Sequence, residues 1–346
     1  MENKRIRDYG ITVGSLPLGP LNRISDVPGV TVGHCTIANG RHNTGITVVM
    51  PCADNPFMRP LPCASFVLNG FGKTAGLVQI DELGTLETPI ALTNTLNVGL
   101  VHDAMVEYMV RRCEREGVPL RSVNPVVCEC NDASLSDIRK RAVGQEHVFA
   151  AIDAACAAFE EGAVGCGRGM TCHGLKGGVG SASRVMELDG RRYTLGVLAQ
   201  CNHGRLGDLT IGGRRIGPEI EKKLREDLPD KGSCILILAT DLPVTDRQLR
   251  RIVKRMSVGL ARLGSYIGHG SGEVFIGFST ENRVSRNESR ALVPCMALNE
   301  ERIDLPFRAA AECAEEAVLN ALVAAEDVTG PDGVKRMSLR HFLEDK

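Results

Sequence analysis

Asp227-Leu-Pro-Asp-Lys-Gly-Ser-Cys-Ile-Leu-Ile-Leu-Ala239 joins a polar run to an unbroken apolar one, and the change falls at Gly232-Ser233. The polar half reads as a loop. Cys234 to Ala239 reads as a strand covered on both faces, because a short aliphatic run without polar alternation fits a fully buried strand. A serine at that junction sits where an accessible loop becomes a rigid edge. Cleavage of the preceding bond would leave its hydroxyl and a new α-amine at the start of the strand. A serine hydroxyl needs a base, and a terminal α-amine, with an unperturbed pKa of about 7.7–8.0, can act as one. An ordinary Gly-Ser turn before a strand accounts for the same two residues.

Outward from this strand, β-type patterning recurs at Val30–Ile37, Gly45–Met50, Ala64–Leu68, Pro125–Cys130, Thr194–Gln200 and Glu273–Ser279. Helical spacing of apolar residues is clearest at Val101–Glu116, Gln145–Glu161, Asp246–Leu263 and Phe307–Glu326. Thr245-Asp-Arg-Gln248 reads as a capping box opening the third helix, and Gly162 and Gly264 stand where C-terminal caps belong. Strands that often follow one another directly, together with long amphipathic helices, predict a layered α/β fold. Two sheets face each other and helices cover the outside. No linker-like composition divides the 346 residues, so a single large domain is expected over 1–346.

The 41 basic and 42 acidic residues are interspersed and give a net charge of −1, which indicates neither a nucleic-acid nor an anionic-membrane surface. A small neutral or zwitterionic ligand fits better. Thirteen cysteines, an odd number without a C-x-x-C pair and often in apolar contexts, read as reduced thiols. With no apolar signal core near the N-terminus and no run of about 18 apolar residues, the cytoplasm is the expected compartment.

Several motif-like stretches lack their defining spacing. Gly72-Lys73-Thr74 has no glycine at position 67, where a phosphate-binding loop needs one. The glycine-dense stretch from Gly165 to Gly180 has no G-x-G-x-x-G register and is expected to be a loop lining a cavity. The eight histidines show no metal-ligand spacing, and Cys128 and Cys130 share a strand face as core thiols, so neither a metal nor a cofactor is expected. Gly268-His-Gly-Ser271-Gly272 lacks the first glycine of a nucleophile elbow.

Gly270-Ser271-Gly272-Glu273 also opens an apolar strand, and residues two apart in extended chain share a face. Ser271 and Glu273 are therefore a hydroxyl and a carboxylate available to orient a neighbouring Ser233. These segments, taken with Asn22–His34, Asn69–Leu77, Thr93–Gly99, Val127–Asp132, Lys176–Arg184 and Phe307–Glu312, resemble the L-aminopeptidase/D-alanyl-esterase family, also called β-aminopeptidases. The resemblance runs along nearly the whole chain. It implies a four-layer αββα sandwich of the N-terminal-nucleophile type, cut between Gly232 and Ser233 into an α piece (1–232) and a β piece (233–346). It implies Ser233 as nucleophile, with Ser271 and Glu273 as partners and Asn202 as oxyanion donor. It also implies Glu129 as the group meeting a substrate ammonium, a small peptide or amino-acid amide as substrate, and a homo-tetramer. One departure stands out. The oxyanion tyrosine expected shortly after Glu129 is missing, since no tyrosine lies between Tyr108 and Tyr193, and Asn131 is the candidate replacement. An amidase acting on ω-amino-acid or pantetheine-type amides, or a binding protein weakened in catalysis by that loss, are the alternatives within the same fold.

Overall fold

The computed structural model describes residues 4–224 and 232–343. The polar run Asp227–Lys231 lies outside them, whereas Gly232 and Ser233 lie inside.

Ser233–Thr240 is a strand, and all eight of its residues are buried. It runs parallel to Gly272–Ser279 on one side and antiparallel to Arg191–Asn202 on the other. Leu61–Gly70, with the short strand Thr85–Leu86 beyond it, and Gly178–Leu188 extend this sheet to six strands. A second sheet orders Thr31–Ala38, Asn43–Met50, Ile90–Asn94 and Val126–Cys130. Side-chain alternation divides the central strand between two cores. Ile235, Ile237 and Ala239 join Leu92, Cys128 and Cys130 between the sheets, whereas Cys234, Leu236 and Leu238 face the helices outside. Helices Asp246–Val253, Met256–Arg262 and Asp304–Ala324 cover the six-stranded sheet, and Val98–Arg115 and Gln145–Asp153 cover the four-stranded one. The result is the expected αββα sandwich. Burial on both faces is why the strand reads as an unbroken apolar run.

Three expectations are corrected. The glycine-dense stretch is only partly loop, because Gly178–Leu188 is a strand of the large sheet packed under the Asp304–Ala324 helix. A Cβ on Gly180 would lie 2.0 Å from the Ala317 carbonyl oxygen, so the missing side chain lets a helix lie directly on the sheet. The expected Gln145–Glu161 helix ends at Asp153, because Cys156 leaves it to exchange two backbone hydrogen bonds with Val32 at 3.0 and 3.1 Å. The expected Asp246–Leu263 helix breaks into two. Its capping box at Thr245 and Gln248 forms, and past the break Gly259 approaches the long C-terminal helix so closely that a Cβ would sit 2.6 Å from Glu315 N.

Among the described residues the thirteen cysteines are free thiols, and no helix is long and apolar enough to cross a membrane.

Candidate active site

Register places Ser233 opposite Asn202 on its antiparallel side and opposite Gly272 on its parallel side. The Gly272 N–H donates to the Gly232 carbonyl oxygen at 3.0 Å, so the carbonyl preceding Ser233 already faces a backbone donor. Position 232 has no room for a side chain, because a Cβ there would stand 1.6 Å from the Asn202 carbonyl oxygen.

Asn202 ends its strand, and its Oδ1 accepts the Thr171 N–H at 2.8 Å. An amide whose oxygen is occupied in this way keeps both Nδ2 protons for another acceptor. Glu129 belongs to the opposite sheet, near the end of Val126–Cys130, and is only 2% exposed. The Lys73 N–H donates to its Oε1 at 2.9 Å and the Thr95 hydroxyl donates to its Oε2. These donors fix the carboxylate plane and leave it lone pairs to spare. The two sheets meet where the Cys130 thiol donates to the Ser233 carbonyl at 3.4 Å.

Gly232, Ser233, Asn202, Glu129 and Asn131 all line one cavity of about 560 Å³, a volume suited to a small molecule or short peptide. Ser271 and Glu273 are fully buried and stand behind the cavity wall. The Ser271 hydroxyl donates to Glu273, which is in register with Cys234, one residue past the serine. Asn69 secures the turn before them by donating to the Gly268 carbonyl at 3.0 Å and to the Ser271 carbonyl. Asn131 is exposed, with its Oδ1 accepting the Ala133 N–H at 3.0 Å, and no tyrosine lines the cavity among the described residues.

Sequence reasoning missed Thr95 and the backbone of Lys73 as the donors that seat Glu129. Both lie in blocks that carry the family resemblance, but Gly72-Lys73-Thr74 lacks the spacing of a phosphate loop and carries no other side-chain motif. Its role here is a main-chain one, which no side-chain motif announces.

The model of peptidase family S58 matches residues 22–336. The chain belongs to that family. This S58 chain is 37% identical over 360 residues to the beta-peptidyl aminopeptidase BapA of Sphingosinicella xenopeptidilytica, covering 97% of the former and 89% of the latter. Among solved structures, the PH0078 protein from Pyrococcus horikoshii OT3 superposes with a TM-score of 0.92 at 43% identity, covering 99% of this chain and 98% of that one. The L-aminopeptidase D-Ala-esterase/amidase of Ochrobactrum anthropi, described as a prototype serine aminopeptidase with a variant N-terminal-nucleophile hydrolase fold, superposes with a TM-score of 0.91 at 35% identity, covering 98% and 96%. The chain is thus a hydrolase with the fold of N-terminal-nucleophile enzymes.

Proposed function

We propose that this S58 hydrolase cuts itself between Gly232 and Ser233 and then releases N-terminal residues from short peptides, amides or esters, with the new terminal serine as nucleophile. The observation that carries this reading is the shared cavity. The Ser233 strand start, the Asn202 amide and the Glu129 carboxylate converge on it from two sheets.

In the self-cleavage step, Ser233 Oγ attacks the Gly232 carbonyl carbon while the Gly272 N–H stabilises charge on the carbonyl oxygen. The C–N bond breaks, the nitrogen takes a proton, and water hydrolyses the resulting ester to a Gly232 carboxylate and a free Ser233 amine. In turnover that amine accepts the Ser233 hydroxyl proton as Oγ attacks the substrate carbonyl. The proton then passes to the leaving amine, and water releases the acyl group. Asn202 Nδ2 donates to the tetrahedral oxyanion, with Asn131 on the cavity wall as the candidate second donor in place of the missing tyrosine. Glu129 receives the substrate's ammonium. The Ser271–Glu273 pair holds the charge of the Ser233 amine from behind.

Beta-peptidyl relatives support substrates with the amine one carbon further from the carbonyl. The Glu129-to-ammonium contact also demands a free amine, so an N-acetylated aminoacyl anilide should be a far poorer substrate than its parent. The deciding experiment is intact-mass analysis of the purified chain and of Ser233→Ala. The parent should give two species that break before Ser233, and the variant one uncut, inactive species. Two fragments from the variant would overturn the reading.

A further inference from the structure

Behind the Asn202 amide, two segments distant in sequence bring three metal-binding side chains together. Cys172 and His173 follow Thr171, and His203 follows Asn202; the His173 N–H donates to the His203 carbonyl at 2.7 Å. One donor atom from each of the three residues lies within 4.8 Å of the others, and all three residues are buried. Cys172 Sγ stands 3.8 Å from His203 Nδ1.

His173 supplies an independent indication. Its Nδ1 lies 3.1 Å from the Arg205 carbonyl oxygen, which can only accept, so Nδ1 carries the ring proton and Nε2 carries a lone pair. Among the described residues that Nε2 has no hydrogen-bond partner, although His173 is 0% exposed. A buried, unpartnered imidazole lone pair with its other nitrogen fixed by a carbonyl is the arrangement of a metal-ligating histidine and its outer partner. His173 also holds a positive φ of 46°, uncommon for a residue other than glycine.

We propose that Cys172, His173 and His203 bind one Zn²⁺ ion, with the fourth position open to water from the cavity that His203 lines. Two imidazoles and one thiolate suit zinc rather than magnesium or calcium, which take oxygen donors. Zn–N and Zn–S bonds of about 2.0–2.3 Å put tetrahedral ligand atoms roughly 3.3–3.8 Å apart, so closing on the ion takes side-chain shifts of about 1 Å. Binding forms a Zn–S bond, and the Cys172 thiol proton leaves to solvent. The ion ties the 171–173 segment to the 202–203 segment and so stiffens the seat of the Asn202 amide.

The test is calorimetric titration of full-length, chelator-treated, reduced protein with Zn²⁺, and of the same protein with Co²⁺ followed by absorbance. Expected are one equivalent of tight binding, heats that depend on buffer ionisation because a proton is released, a thiolate-to-cobalt charge-transfer band, and a higher thermal transition. Cys172→Ser and His173→Gln, each checked for folding by its thermal transition, should weaken binding at least tenfold. A control lacking the exposed Cys156 and Cys295 thiols should bind as the parent does. No uptake by the folded reduced parent, or uptake lost in the surface-thiol control and kept in both buried-site variants, overturns the site.

Discussion

Asn202 owes its proposed role to which end of its amide is already used. With Oδ1 accepting from Thr171, only Nδ2 is left for a developing oxyanion, and a neutral donor so placed is typically worth about 2.7–4 kcal/mol of transition-state stabilisation. Asn202→Ala should therefore lower kcat by about 10²–10³-fold with little change in KM, as steady-state turnover of a free-amine anilide will show. A KM effect alone would assign Asn202 to substrate binding instead. Ser233, Asn202 and Glu129 are legible in the sequence because the segments that hold them resemble the family's, Asn131 is legible only as the candidate at a departure from it, and all four line one cavity. The Lys73 main chain is not legible, since its contribution depends on how a loop of one sheet folds over a carboxylate on the other, and Thr95 is not, since it reaches Glu129 from the end of the strand paired beside it.

Among the elements, the central strands show most clearly in the sequence because layers on both sides force them to be aliphatic throughout. Gly178–Leu188 escapes notice for the opposite reason. Gly180 answers to a helix backbone lying against it and Gly178 to the Gly162 main chain, so the strand carries only a weak β-branched signature. Gly180→Ala tests that contact: a methyl there must displace the main chain of the Asp304–Ala324 helix, and overpacking of this kind typically costs about 1–3 kcal/mol. Chemical denaturation should show a midpoint lowered accordingly at an unchanged slope. A neutral result would mean that the helix has room to move. Helix ends are the least legible feature, as at Asp153, where a cross-bridge to Val32 decides the stop rather than any local cap.

Across the whole molecule, charge is buried in ways that composition hides. Asp132 is fully buried, and burial pushes its carboxyl up to about 6 against the opposing hydrogen bonds from Thr44 and Asn94. Because its folded pKa lies above the ordinary aspartate value of 3.8, its contribution to stability is fully present below that value and is lost as pH rises through about 6. Urea unfolding of the parent and of Asp132→Asn should therefore diverge between about pH 4 and pH 6, the parent losing up to about 3 kcal/mol relative to the variant. Parallel curves would place Asp132 at an ordinary carboxylate value. Arg184, also fully buried, reaches Glu312 at 3.0 Å and Glu316 at 2.6 Å on the C-terminal helix, and Arg7 meets Glu316 at 2.7 Å. A break before Ser233 leaves both arginines on one fragment and both glutamates on the other. The same break leaves the later fragment's two strands of the six-stranded sheet flanked on each side by strands of the earlier one. Such a nicked molecule holds together as an interlaced heterodimer, yet once denatured it has to find its own other half. Renaturation yield should then rise with protein concentration for the nicked form and stay independent of it for the uncut Ser233→Ala chain, so that the proposed self-cleavage would be a one-way commitment in folding as well as in chemistry.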